Sequence, residues 1–381
     1  MTPYCKRLRL MYLMGYEPRG TRTVDHAILG LARSAAATGW RVTFVFTAHP
    51  PEAFRDALAA TGAEYAVFSY PLTWRGARKL ARTFRGTEPH LLLTSYLSPF
   101  HLPILWLKLS RFARRLVVID HASGSGSSPG LLGRLLRRVR GWLVGRIVDR
   151  FIAVSGFVAH RQRERAYLPA AKVQVIPNGV DCKQYTATLR PVDAIVQVAF
   201  AGQLIPEKGL KTLLEAYRRV LSERPDGLAL TIAGQGPQRE ELERYCRDHA
   251  LDRVRFLGHT DEIPALFGRA DVVVVPSEWG EAFGLVAIEA MASGAAVLTS
   301  DAGGLPEVVG DAGVVFRAGD VADLAAKLQA LVVSRSERER LGTLARARAE
   351  EQYSLSRMID GRLAMCDRVF HGLLAQPECP H

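Results

Sequence analysis

At 381 residues, 48% apolar and 23% charged, the chain is long enough for two domains with a core each, and its composition excludes a disordered or fibrous polymer. Its net charge of +12 is uneven: residues 1–192 hold 29 Lys and Arg against 10 Asp and Glu, a balance of +19, which leaves −7 for the rest. The five cysteines (Cys5, Cys182, Cys246, Cys366 and Cys379) include no C-x-x-C, which argues against a zinc site or a disulfide framework and for a reducing, cytoplasmic compartment.

The first apolar run, Leu10–Met14, is too short and interrupted for a signal peptide, and no stretch nears the roughly 18–20 apolar residues that span a bilayer. Strands are expected at Leu8–Met14, Val42–Thr47, Tyr65–Ser69, Leu91–Ser95, Leu116–Asp120, Phe151–Val154 and Val173–Ile176. Helical patterns at Val24–Thr38, Leu131–Ile147 and Gly156–Tyr167 lie between them. Such alternation of β-branched runs and helices implies a parallel sheet covered on both faces. Residues 181–194 are polar and aperiodic, as a linker is. The alternation resumes with strands at Val196–Ala201, Leu228–Ala233, Val254–Leu257, Val272–Val275, Ala296–Thr299 and Val314–Phe316. Helices are expected from Gly209, near Glu240–His249 and at Gly284–Ala292, and two more patterns, about 320–352 and about 354–375, close the chain. The fold class is therefore α/β: two doubly wound, Rossmann-like parallel-sheet domains, 1–185 and 193–352, facing across a cleft. In such sheets ligands sit beyond the C-terminal strand ends.

Three strand-to-helix turns of the second domain carry chemistry. Pro276-Ser-Glu-Trp-Gly-Glu281-Ala-Phe-Gly-Leu285 follows a strand and opens a helix that contains Glu289. Backbone N–H groups at Ala282, Phe283, Gly284 and Leu285 lack helical partners and suit an anion, while carboxylates on either side suit sugar hydroxyls. Taken alone, Glu281 reads as an N-terminal helix cap and Glu289 as a solvated helix residue. Gly202-Gln203-Leu-Ile-Pro-Glu-Lys208-Gly209 offers a lysine within reach of a diphosphate, or a surface lysine in a turn. Ala302-Gly-Gly-Leu-Pro-Glu307 allows close backbone approach, or is only a tight turn.

Together these turns, G-x-L-x-x-x-K-G, E-x7-E with F-G-L and E-A-M-A-x-G, and G-G-x-P-E, resemble glycosyltransferase family 4 over roughly residues 196–310. The resemblance implies the GT-B fold and retaining, metal-independent transfer of a hexosyl unit from a nucleotide sugar to a glycan or lipid-linked glycan. The setting it suggests is bacterial cell-surface polysaccharide or lipopolysaccharide synthesis. It implies Lys208 on the diphosphate and Glu281 on the sugar hydroxyls, with the amides of Ala282–Leu285 close to sugar and phosphate. Gly202 and Gln203 line the same site, Glu289 holds the ribose, and the base lies along Gly258–Ile263. One departure stands out: family members carry arginine where this chain has Gln203, with Arg19 or Arg22 as candidate substitutes. The final helix, 354–376, is similar to one that crosses back to the first domain.

The first half matches more loosely. Glu17-Pro-Arg19-Gly20-Thr-Arg22 stands where the family has a Gly-rich loop for acceptor or phosphate; a bare surface turn fits as well. Val117-Val-Ile-Asp-His121-Ala-Ser-Gly-Ser-Gly resembles the strand ending in the family's active-site histidine, so His121 would contact the donor sugar rather than act as a base. Pro177-Asn-Gly-Val-Asp181 reads as the turn that ends the first domain. No D-x-D occurs, so no metal and no cofactor are expected; UDP-glucose, UDP-N-acetylglucosamine and GDP-mannose stay open as donor substrates.

Leu131–Arg146 places Leu132, Leu135, Leu136, Val139, Trp142 and Leu143 on one stripe, with Arg134, Arg137, Arg138 and Arg140 elsewhere. This is either a helix packed on its sheet or one lying on an anionic membrane surface, extended by the similar Ser98–Arg115. The second reading makes the protein peripheral at the inner face of the cell membrane. Nucleic acid is not expected, since aromatics are not interleaved with the arginines. Two other functions share the scaffold: a catalytically weak nucleotide-sugar-binding subunit, which Gln203 favours, and a sugar-nucleotide epimerase.

Overall fold

A computed structural model describes residues 8–123, 130–186, 195–223 and 227–372. The chain forms two compact units. The first alternates β1 (Leu8–Met14), α1 (Thr23–Ala37), β2 (Trp40–Phe46), α2 (Glu52–Ala59), β3 (Glu64–Val67), α3 (Trp74–Thr83), β4 (Leu91–Ser95), α4 (Leu102–Leu109), β5 (Arg115–Asp120), α5 (Leu131–Ile147), β6 (Arg150–Ala153), α6 (Gly156–His160) and β7 (Val173–Val175). Its seven strands are all parallel, in the order β3-β2-β1-β4-β5-β6-β7. The order reverses between β1 and β4, where a doubly wound sheet opens its crevice.

The second unit runs from Asn178 to Leu355 and includes Ser123. It holds β8 (Val196–Ala201), α7 (Leu210–Glu223), β9 (Leu228–Ala233), α8 (Arg239–Asp248), β10 (Val254–Gly258), α9 (Ile263–Arg269), β11 (Val272–Val275), α10 (Leu285–Ala292), β12 (Ala296–Ser300), α11 (Leu305–Val309), β13 (Val314–Phe316), α12 (Val321–Val333) and α13 (Arg335–Gln352). Its six parallel strands follow β10-β9-β8-β11-β12-β13, with the reversal between β8 and β11. The four valines of β11 are all buried, as a central strand between two helical layers requires, and each fully buried side chain of that size stabilises by about 1.5–3 kcal/mol. The last helix, α14 (Leu355–His371), groups from Ser356 onward with the first unit. Its Asp367 accepts the Trp40 indole N–H at 2.7 Å and Phe370 meets the Trp40 ring edge-on.

Several elements differ from the periodic reading. The pattern over 320–352 is two helices, because Ser334 leaves the helical region and caps the next helix by accepting the Glu337 N–H at 3.2 Å. The pattern Gly156–Tyr167 breaks into α6 and a π turn, Arg161–Arg165. The Pro177–Asp181 turn is the crossing point: Asn178 already belongs to the second unit, and Val180 pairs with Ser354 just before α14. The polar linker 187–194, the Gly/Ser stretch 124–129, Cys5, Cys379 and residues 373–376 of the final helical pattern lie outside the described residues. Cys182, Cys246 and Cys366 are free and buried. No helix of the described residues is long and apolar enough to cross a membrane.

Both units solve one problem in the same way. The residue just before β6, Asp149, donates its N–H to the Leu116 carbonyl, and its carboxylate accepts the Leu116 N–H at 2.8 Å, with Lys108 and Arg115 as counter-ions. Asp271, just before β11, does the same with Gln197 at 2.7 Å, beside Arg338. Each carboxylate thus clamps the entrance of two central strands. Replacing Asp271 by alanine strands the Gln197 N–H and removes a carboxylate beside Arg338, and should destabilise the unit by roughly 2–3 kcal/mol. Urea denaturation followed by circular dichroism measures this; an unchanged midpoint would show that water replaces the carboxylate.

Candidate active site

In the second unit the loops after β8, β11 and β12 are laced together at the strand C-termini. A short 3₁₀ turn, Pro206–Lys208, ends at Gly209, whose φ of +66° suits glycine and whose missing side chain leaves room for the Pro276 carbonyl. That approach lets the Glu278 N–H reach the Glu207 carbonyl at 2.9 Å and Thr212 Oγ1 donate to Glu278 at 2.5 Å. It also brings Lys208 Nζ onto Glu281 Oε1. Ser277 Oγ donates to the same carboxylate oxygen at 2.8 Å, and Ser300 Oγ holds the Ser277 carbonyl at 2.5 Å. The Glu281 main chain bridges to Gly303, and its carbonyl accepts the Gly304 N–H at 2.8 Å.

The remaining expected residues fall along the same edge. Gly202 directly follows β8, and Gln203 beside it is exposed. Ala282 and Phe283 are buried, Gly284 stands at the N-cap of α10 with φ +101°, and Leu285 begins the helix. Gly284 has no side chain to cap α10, so this helix end supplies no acceptor of its own. The Ala282 N–H is engaged by Ser123 Oγ at 3.2 Å within this unit. Glu289 lies half-buried on α10. Gly258 ends β10, its carbonyl accepts the Gly234 N–H at 2.7 Å, and Ile263 opens α9. Lys208, Glu281 and the Gly303 turn are therefore brought into contact; Gly202 and Gly258 are linked to each other through Gly234, which packs on the Gly202 carbonyl. Sequence reasoning missed Ser277 and Gly234, although they lie within two residues of the ends of β11 and β9.

The first unit builds a different kind of edge. The loop Glu17–Arg22 wraps around Asp25, which is fully buried in α1. The Asp25 carboxylate accepts the N–H groups of Arg19 (3.3 Å), Gly20 (2.9 Å) and Arg22 (3.0 Å) and the Tyr16 hydroxyl (3.1 Å). The amides of the loop expected to admit acceptor or phosphate at Gly20 are thus held by an internal anion, while the Arg19 side chain is exposed. Gly15 passes against the Tyr96 carbonyl at the β1/β4 reversal.

His121 follows β5. Its Nε2 lies 2.9 Å from Ser95 Oγ, and its ring stacks on Tyr96 at 4.1 Å. Tyr96 holds φ +57°, a strained backbone for a bulky residue. The preceding Asp120 fixes the turn, accepting the Ala122 N–H at 2.8 Å and the Gln162 amide at 3.0 Å beside Arg161. The π turn is what brings Arg161 and Gln162 to it. Burial, and then the charge of Arg362 from α14, push the His121 pKa down to about 3. The imidazole is neutral at physiological pH: it can share hydrogen bonds but carries no charge. Arg362 itself is buried.

This gives a pH prediction. The unfolded chain takes up the His121 proton near pH 6.5 and the native chain only near 3, so stability falls as pH drops through that window. A His121→Gln variant should show a shallower loss between those pH values, and the wild-type His121 ring resonance should not titrate above pH 5; titration near 6.5 would refute the assignment.

The geometry can be set beside known proteins. The model of Glycosyltransferase Family 4 matches residues 24–184, and that of Glycosyl transferases group 1 matches residues 192–348. A glycogen synthase of Mycobacterium tuberculosis is 37% identical over 235 residues, 60% of this chain and 56% of that protein. A GDP-mannose-dependent alpha-(1-6)-phosphatidylinositol monomannoside mannosyltransferase of the same organism is 32% identical over 221 residues, 51% of this chain and 56% of that protein. The matches thus span little more than half the length of these relatives. Among solved structures, Anabaena HepE in complex with UDP-glucose superposes with a TM-score of 0.74 at 23% identity, covering 94% of this chain and 99% of that one.

Proposed function

The chain belongs to the glycosyltransferases, its halves matching Family 4 and group 1 in turn, and from that premise we propose that it moves a hexosyl unit from a nucleoside-diphosphate sugar to a glycan or lipid-linked glycan, with retention at the anomeric carbon. The Lys208–Glu281 pair at the β8/β11 reversal carries this reading. An ammonium suits a diphosphate and a carboxylate suits sugar hydroxyls, and the pair joins two glycine-bearing turns that admit a ligand close to the backbone. The N-terminus of α10, with Gly284 as its cap, adds partial positive charge for phosphate. In this reading Gly202, Gln203, Ala282, Phe283, Leu285 and Glu289 complete the donor contacts, and the base lies along Gly258–Ile263.

The proposed reaction needs no protein nucleophile. As the glycosidic bond to the diphosphate breaks, the acceptor hydroxyl bonds to the anomeric carbon on the same face. The departing diphosphate takes the hydroxyl proton. Lys208 and the α10 amides meet the charge developing on the leaving group, without a metal. Neutral His121 can share a hydrogen bond with a hydroxyl and is not assigned the role of a base.

Titration calorimetry with UDP- and GDP-sugars, in the presence of a chelator, tests the donor site. Wild type should select one nucleotide, and Lys208→Ala should bind it about ten- to a hundredfold more weakly, the loss of one charge-assisted hydrogen bond. Equal affinity in the mutant would remove Lys208 from the site. Nuclear magnetic resonance of the product anomer tests retention. The exposed, uncharged Gln203 favours a second reading, a weakly catalytic nucleotide-sugar-binding subunit. If the first reading holds, Gln203→Arg should raise affinity for the diphosphate and the wild type should already transfer sugar. Binding without transfer by wild type, and transfer only by the variant, would support the second.

A further inference from the structure

We propose that the first unit docks on an anionic membrane surface through α5, which lies in the plane of the interface with its apolar face among the acyl chains. A helix packed on a sheet turns its apolar stripe inward. α5 does the reverse. It is anchored by its small residues Gly141, Val144 and Gly145, with Gly141 against the Ala166 and Tyr167 carbonyls and Gly145 against the Pro169 ring. The apolar stripe, an arc of about 140° at 100° per residue, points the other way. Leu131 is 80% exposed, Leu132 69%, Leu136 61% and Trp142 52%. Of the two readings of this helix, the one in which its stripe packs on the sheet is therefore set aside.

The exposed apolar surface does not stop at α5. Helices α3, α4 and α5 pack in sequence, and Trp74 on α3 and Leu102 and Leu109 on α4 are also exposed. The Trp74 and Trp106 rings meet edge-on, joining α3 to α4. Monomeric soluble proteins rarely leave so many large apolar side chains together in water.

Charge identifies the occupant. Residues 131–147 hold five arginines and no carboxylate, and α3 adds Arg75, Arg78, Lys79 and Arg82, again without a carboxylate. Arg138 and Arg140 border the apolar arc, over the Tyr167 ring at 5.2 Å and on the Phe100 ring at 4.0 Å, and Arg146 within it folds back on the Trp142 ring at 4.0 Å. Side chains held back beside the apolar face sit at headgroup depth when that face is inserted. A second copy on this face would oppose arginine to arginine, whereas anionic headgroups neutralise them. The surface stands independently of the donor site, and no residue of it belongs to that site.

The test is sedimentation with vesicles of phosphatidylcholine alone or mixed with phosphatidylglycerol. Wild type should pellet with the mixed vesicles and lose most of that binding in high salt, as screened charge requires. Leu132→Glu/Leu135→Glu/Leu136→Glu changes only exposed positions, so it should keep nucleotide-sugar affinity yet bind mixed vesicles at least about tenfold more weakly. Acyl-chain bromine labels should quench a fluorescence component that is absent from Trp142→Phe. Wild type that stays in the supernatant, or a triple variant that pellets equally, overturns the proposal. A dimer dissolved by the triple variant, without vesicle binding by wild type, overturns it in favour of a second copy.

Discussion

Lys208 and Glu281 hold opposite charges together where the strand order of the second sheet reverses, and the surrounding loops are shaped to keep them there. The pair is only partly hydrated, with 30% and 13% of the two side chains exposed. Removing one partner leaves the other charge in a narrow gap, which is costly unless something replaces it. The gap cannot open freely, because Gly209 and Gly303 bring the backbones too close for any other residue. In the proposed reading, a ligand that offers a phosphate to Lys208 and hydroxyls to Glu281 would replace each partner, so that neither charge need be left unpaired.

The two sheets share a topology and differ in how they treat polar groups at the strand ends. In the first, Asp25 gathers the amides of the loop before α1, and Asp120 gathers the turn that carries His121. Anions built into the fold occupy donors there. In the second, Glu281 turns its carboxylate to Lys208 and Ser277, and glycine stands at the N-cap of α10. The positive end of that helix is capped by no side chain. This contrast is what favours the second unit for phosphate in the proposed reading, while the first unit holds a neutral His121 against Tyr96 and the buried Ser95.

How much of this the sequence disclosed follows from the range of each interaction. The strands were legible because runs such as Val272–Val275 are buried on both faces and carry no competing pattern. Lys208, Glu281 and the Gly303 turn were legible because each sits within a few residues of its own strand and helix. The partners of those residues were not. Arg362 reaches the His121 environment from a helix some 240 residues later, and Gln162 reaches Asp120 only because a π turn rotates it there. The short helices α2, α3 and α4 were hidden too, since eight to ten residues supply barely two turns of period. The break at Ser334 looked like continued helix because apolar periodicity runs on either side of it.

α5 shows a deeper limit of periodicity. A pattern with one apolar stripe says that the stripe is buried against something, and it is silent on which side that something lies. The discriminating signal was the opposite face, Gly141-x-x-Val144-Gly145. Helices approach a backbone closely only through small residues, and Gly141 touches two carbonyls that a side chain would displace. A helix seated through its glycines gains contact energy from that approach and makes its large side chains unavailable to the core. The first sheet does not need them: β4 and β5 are buried although the stripe is exposed. The stripe therefore adds little to the stability of the fold. Its physical consequence appears only in a medium that takes leucine and tryptophan out of water while keeping arginine wet.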